Sequence, residues 1–247
     1  MIELKNVSID YPLEHVDGAS LKSALLSKFS RSRGPEKKFY RAIDDISLTI
    51  ENGEQVGLVG LNGAGKSTLL RVMSGIFHPS HGTVNIRGRV SPLLDFATGF
   101  ELHHTGLENI RIRLMLLGES SESIAQKIGE ISEFSELGEF LDQPARTYSA
   151  GMFMRLAFAT STAINPEILI ADEVVGAGDA QFAEKAKQRI EKLLSGGRTT
   201  VISSHSMGLI RQFCSRVVWL HKGKVMLDGP VEDVLKDYEV RAPTMAR

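Results

Sequence analysis

Gly60-Leu61-Asn62-Gly63-Ala64-Gly65-Lys66-Ser67 has the spacing G-x-x-x-x-G-K-[ST]. Its glycines let the backbone bend tightly enough for several N–H groups to converge on one triphosphate. Lys66 brings a positive charge to the β- and γ-phosphates, and the hydroxyl of Ser67, followed by Thr68, suits Mg²⁺. Upstream, Gln55-Val56-Gly57-Leu58-Val59 is a short apolar run suited to a buried strand. Downstream, Leu69, Val72, Met73 and Ile76 recur at helical spacing. Strand, glycine loop and helix is the order this chemistry requires, because the helix N-terminus must face the phosphates. The bland alternative is a glycine-rich turn between core elements.

The chain has 247 residues, 42% of them hydrophobic and 24% charged, which is ordinary for a globular protein with a real core. A net charge of −1 argues against a polyanion-binding surface, so nucleic acid is not an expected partner. The single cysteine, Cys214, cannot form an internal disulfide; it fits a reducing compartment and a packing role. The start, Met1-Ile2-Glu3-Leu4-Lys5, lacks a basic region followed by an apolar core, so no signal peptide is expected. No apolar stretch approaches the ~18–20 residues that cross a bilayer. Any membrane process this chain serves therefore needs another chain to span.

Residues 1–11 alternate (Ile2, Leu4, Val7, Ile9) and read as an edge-type strand. Residues 12–41 break the pattern. Within them Leu21, Ala24, Leu25 and Phe29 share one helical face, and Arg31, Arg33, Lys37, Lys38 and Arg41 outnumber Glu36. This segment is either a solvated helix covering the domain or a docking element at a membrane surface or partner. Further strands are expected at 42–50, 83–90, 168–172, 199–203 and 217–220, with a helix at 181–194. Residues 106–141 read as helical, with Ser120 or Ser121 as a cap, and another helix runs over 151–162. Strands separated by helices imply an α/β fold with a mainly parallel sheet. The block at about 96–154 holds too many helices for one crossover and reads as an inserted helical subdomain in an α/β core of about 1–95 and 155–238.

Four other constellations carry chemistry. Ile168-Leu169-Ile170-Ala171-Asp172-Glu173 is an apolar strand ending in two carboxylates. Asp172 suits Mg²⁺ held through water, and Glu173 can orient or deprotonate an attacking water. Tyr148-Ser149-Ala150-Gly151-Met152 opens a helix whose small residues leave N–H groups for an anion. His205 follows the buried-looking run Val201-Ile202, beside the strand carrying Asp172, and is placed for a γ-phosphate. Gly176-Ala177-Gly178-Asp179 is a small-residue turn ending in an acid.

This ordered set resembles the ATPase subunit of ABC transporters over residues 1 to about 238, a P-loop NTPase core with an antiparallel N-terminal β portion. The Tyr-Ser-x-Gly-Met form of the signature and the Ala-Gly-Asp turn are similar to those of exporters of O-antigen, teichoic acid and capsule. The insertion after the first strand is similar to that of O-antigen and teichoic acid exporters, where it forms a helix near the membrane entrance. The resemblance implies ATP and Mg²⁺ as ligands and a head-to-tail homodimer. It also implies a multi-spanning permease as partner and a peripheral position on the cytoplasmic face of the inner membrane. In that arrangement Gly60, Leu61, Asn62, Gly63, Ala64, Gly65, Lys66, Ser67 and Thr68 hold the phosphates of one site, and Ser149, Ala150 and Gly151 of the other copy cover the γ-phosphate. Asp179 is among the cofactor-binding residues, and Tyr11 or Tyr40 stacks on adenine. The chain departs from the family pattern at Ala150 and Met152, where glycine and glutamine are usual, and at Asp95, the nearest polar residue to the usual metal-proximal glutamine. Asp95 can accept a hydrogen bond from metal-bound water but cannot donate one. With Arg247 soon after the last amphipathic segment, no appended carbohydrate-binding domain is expected.

The role read for Glu173 has a direct consequence. Glu173→Gln is expected to keep ATP binding and lose about 10²–10⁴-fold in turnover, measured as phosphate release, as for a lost general base. Turnover close to wild type would remove Glu173 from that role.

Overall fold

The computed structural model describes residues 1–13, 38–94, 96, 98–172 and 180–245. Most of the 12–41 insertion, with its Leu21–Phe29 face, and also Asp95, Glu173 and Asp179 lie outside the described residues.

The N-terminal strands show how a change of hydrophobic phase becomes a bend. In β1 (Ile2–Leu13) the buried apolar positions switch from even (Ile2, Leu4) to odd (Val7, Ile9). In β2 (Lys38–Ile50) they switch from Ile43 to Ile46, Leu48 and Ile50. Keeping both sets on one face demands an extra residue in each strand. Asn6 (φ 51°) and Asp45 (φ 54°) supply it in the left-handed region that short polar residues tolerate. Asn6 Nδ2 donates to Asp45 Oδ1 at 3.1 Å, joining the two irregularities. β1 pairs antiparallel with β2 on one side and with β4 (His81–Ile86) on the other, so it is the centre of a three-stranded sheet and not an edge. Alternation reports a half-buried face; it carries no information on how many neighbours a strand has.

The second sheet has six strands in the order β5 (Val90–Leu93), β6 (Ile168–Asp172), β7 (Thr199–Ser203), β3 (Gln55–Val59), β8 (Arg216–His221) and β9 (Lys224–Pro230). All neighbouring pairs run parallel except β8–β9, a hairpin. The single strand expected at 83–90 is two strands in different sheets, with Gly88 (φ 119°) turning the chain between them.

Alternate residues of the six-stranded sheet feed two cores. Val56, Leu58, Ile168, Ile170, Val201 and Val218 face α1 (Lys66–Met73) and the antiparallel sheet. Val59, Leu169, Ala171, Ile202, Val217 and Trp219 face the other layer. That layer contains α5 (Ala180–Leu194), α6 (Met207–Phe213) and α7 (Val231–Met245). Cys214 packs there, and burial pushes its thiol up to about 12, in keeping with a packing role.

The long helical stretch is broken in two by Gly118 (φ 82°), between α2 (Gly106–Leu116) and α3 (Ser121–Ser135). Thr105 and Glu108 form a reciprocal cap on α2, and Ser120 accepts from Ser123 N to cap α3. With α4 (Ala150–Ser161) these helices enclose a third core containing Ile110, Leu114, Ile131, Leu141 and Leu156.

Asn109 anchors the segment that leads into this block. It is fully buried; its Oδ1 accepts from Glu101 N at 2.7 Å, and its Nδ2 donates to the carbonyls of Glu101, His104 and Thr105. Asn109→Ala is expected to cost about 2–3 kcal/mol in urea denaturation, because it strands buried backbone groups. A loss below about 0.5 kcal/mol, the range of an ordinary surface substitution, would contradict that anchoring.

Candidate functional site

The glycine loop leaves the C-terminal end of β3 and enters α1 at Lys66, with Gly65 as the N-cap (φ 104°) and no side chain capping the helix. The first-turn N–H groups of α1 therefore point out of the helix towards whatever lies over the loop. A Cβ on Gly60 would meet Leu220 O at 2.4 Å, and one on Gly65 would meet Ala42 O at 2.8 Å. These two glycines let the loop lie flat against β8 and β2. Above the loop is a cavity of about 370 Å³ lined by Tyr11, Tyr40, Ala42 and the stretch Asn62–Thr68. Lys66 is buried, and its Nζ donates to Gly60 O at 2.7 Å and Leu61 O at 3.2 Å. Ser67 is exposed in the first turn.

Tyr11 and Tyr40 are directly opposed across β1 and β2. Tyr11 is half-buried, its hydroxyl 3.3 Å from Thr68 Oγ1 and its ring edge-on to Phe77. Tyr40 is 52% exposed on the rim of the cavity. Tyr11 is thus committed to the fold, and Tyr40 has a face to offer a flat ligand.

The strand bearing Asp172 does not adjoin the one bearing the glycine loop: β7 lies between β6 and β3. Ser203 of β7 pairs in register with Asp172 on one side and Leu58 on the other. Its hydroxyl is buried and has no hydrogen-bond partner among the described residues. His205 follows β7 and lines a second cavity of about 460 Å³ on the other side of the loop, with Gly60–Ala64, His221, Lys222, Tyr238 and Met245. The C-terminal ends of the parallel strands β3, β6 and β7 therefore lie at one edge of the sheet, where open α/β sheets bind ligands.

Ser149 caps α4 by accepting from Met152 N at 3.2 Å. This engages one of the N–H groups that the sequence left for an anion. Ser149, Ala150 and Gly151 are all exposed, and none of them lines either cavity of its own chain.

Sequence reasoning missed the β8–β9 turn. Gly223 (φ 77°) donates its N–H to Ala64 O, and its carbonyl accepts from Asp44 N, both at 2.9 Å. The signal was the Lys222-Gly223 pair between two apolar runs, a hairpin mark. Ser203 carried no mark beyond its place at a strand end.

The residues around the loop suit Mg²⁺. Ser67 and Asp172 offer only oxygen, the hard ligand it prefers, and the Ser203 hydroxyl, in register with Asp172 and without a hydrogen-bond partner among the described residues, is available to water. Among the described residues no group of three or more His, Cys, Asp or Glu could hold a metal ion.

The family model described as ABC transporter matches residues 43–176, more than half of the chain. The chain belongs to the ABC transporter family. Its cassette is 43% identical over 226 residues to the O-antigen export system ATP-binding protein RfbE of Yersinia enterocolitica, covering 90% of this chain and 94% of that protein. It is 37% identical to the teichoic acids export ATP-binding protein TagH of Listeria monocytogenes serotype 4b (strain F2365), covering 96% of this chain and 69% of that one. Its structure is similar to a dimeric ATP-binding cassette solved in a post-hydrolysis state with ADP and Pi, with a TM-score of 0.68 and 25% identity, covering 94% and 99% of the two chains. As a family ATPase domain the cassette binds nucleotide. No helix among its described residues is long and apolar enough to cross a membrane.

The different settings of the two tyrosines can be tested. Tyr40→Ala is expected to weaken ATP binding by about 1–3 kcal/mol, the worth of one base–aromatic stack, in a fluorescent-nucleotide titration. Tyr11→Phe, which keeps the ring, is expected to leave affinity near wild type. The reverse ranking would assign the stack to Tyr11.

Proposed function

We propose that this chain is the ATP-hydrolysing subunit of an ABC exporter for a polysaccharide of the O-antigen or teichoic acid type. The observation that carries this reading is the 43% identity, across nearly the whole of both chains, with a protein named for O-antigen export. An intact phosphate loop accompanies it.

In this reading two copies bind ATP head to tail. Residues 60–68 of one copy cradle the phosphates with backbone N–H groups. Lys66 exchanges its carbonyl partners for phosphate oxygens, a stronger charge-assisted pairing. Tyr40 stacks on the adenine. Ser149–Gly151 of the second copy cover the γ-phosphate, a role supported by their exposure at the start of α4. Ser67 would hold Mg²⁺ directly and Asp172 through water, and the ion would neutralise charge on the β- and γ-oxygens. Glu173 accepts the proton of the attacking water as the bond from the γ-phosphorus to the bridging oxygen breaks. His205 steadies the γ-phosphate, and Asp179 and Asp95 serve the dimer contact and the metal-bound water. Closure on ATP and opening after hydrolysis drive a multi-spanning permease at the cytoplasmic face of the inner membrane. The division into an α/β core (about 1–95 and 155–238) and a helical subdomain (about 96–154) belongs to the same reading.

Removing the gene product from its host is expected to strip the polymer from the cell surface while lipid-linked glycan accumulates inside. The tagged protein is expected to co-purify in detergent with a multi-spanning membrane protein. An unchanged surface polymer, or an ATPase that never joins membranes, would overturn the export reading.

A further inference from the structure

We propose that Glu136 is a positioning residue. Its carboxylate ties the helix that starts after Ser149 to the helix that follows the Glu173–Asp179 segment. The half-site a copy lends to its partner then moves with the half-site it keeps. The inference rests on the dimeric ATPase reading above and adds to it a link within each copy.

Glu136 closes α3 in the left-handed conformation, φ 56°, a position where glycine is usual and a side chain is strained. Its carboxylate gives the strain a purpose. Oε2 accepts from Arg155 Nη1 of α4 at 3.3 Å, and Oε1 accepts from Lys185 Nζ of α5 at 2.7 Å. One carboxylate thus joins three helices. α4 begins immediately after Ser149, and α5 begins immediately after Asp179.

Beneath these charges the same three helices share a ring cluster. Phe134, Phe158 and Phe182 lie with centroids 5.7–6.0 Å apart. The cations cover it: Arg155 is 5.2 Å from the Phe182 centroid, and Lys185 and Arg189 are 4.7 and 5.2 Å from that of Phe134. Lys185 Nζ also donates to Phe134 O, and Arg189 bonds Glu130 and Thr162 O. Packed rings resist gradual sliding, so a rotation of α4 is passed to α5 as a shift of the whole cluster. Removing the carboxylate takes away the one acceptor that Arg155 and Lys185 share. Glu136 is itself 42% exposed at the side chain, so screening keeps its part in global stability small.

The test uses Glu136→Gln and Glu136→Gly in the full chain. Glycine accepts the left-handed conformation, so Glu136→Gly removes the carboxylate link without straining the turn. Both variants are expected to melt within about 4 °C of wild type. Both are expected to bind fluorescent ATP as wild type does, since the phosphate loop is untouched. Both are expected to lose roughly 2- to 30-fold in kcat, the span of measured coupling between sites. In a Glu173→Gln background they are expected to weaken the ATP-dependent dimer. Wild-type kcat in either variant would overturn the proposal, as would a kcat loss matched by an equal loss of nucleotide binding and melting temperature. A parent protein that forms no ATP-dependent dimer would instead overturn the reading on which the proposal rests.

Discussion

The site depends on a backbone pressed against backbone. Gly60 lies on the carbonyl of Leu220 and Gly65 on that of Ala42, at separations that leave no room for a Cβ. The hairpin glycine Gly223 completes the arrangement by bonding Ala64 on one side and Asp44 on the other. Those contacts hold the antiparallel sheet, the phosphate loop and the edge hairpin as one body. The cavity rim carrying Tyr40 is thereby kept at a set height above the N–H groups of the loop. A ligand that spans both must have an aromatic end and an anionic end, which is the outline of a nucleotide.

Charge is arranged with the same economy. The ammonium of Lys66 is buried, and an unpaired charge there would be strongly unfavourable; two loop carbonyls hold it until a better acceptor arrives. The hydroxyl of Ser203 has no hydrogen-bond partner among the described residues and sits between the acid strand and the loop strand. Stored polar capacity of this kind is what a site for phosphates, water and a hard cation requires. By contrast, the exposed start of α4 is finished on its own side, with Ser149 capping Met152, and turns its small residues outward. In the proposed function the inward half of one copy and the outward half of a second make one centre, and the ring cluster under Glu136 joins the helices that lead out of the two halves.

Much of this was legible along the chain. The glycine loop, the strand ending at Asp172 and the helix that opens after Ser149 follow from local rules: phosphates need free N–H groups, and buried parallel strands are apolar throughout; that Ser149 spends its own hydroxyl on Met152 N was not legible. Strand boundaries at 168–172 and 199–203 agree with the structure residue for residue. The resemblance to ABC ATPases rests on the same short motifs, and the family match bears it out.

What the sequence by itself determined is the set of local chemistries and their order. Tertiary structure alone decided who stands next to whom. That β1 is central, that β7 separates Asp172 from the loop strand, and that Tyr11 is tied to Thr68 while Tyr40 remains open are all facts about neighbours. Periodicity records which face of a strand is buried and is silent on strand order, because every parallel arrangement of these apolar runs satisfies the same pattern. The meeting of Phe134, Phe158 and Phe182 under one carboxylate has the same origin: residues far apart in the chain become a unit only when three helices pack.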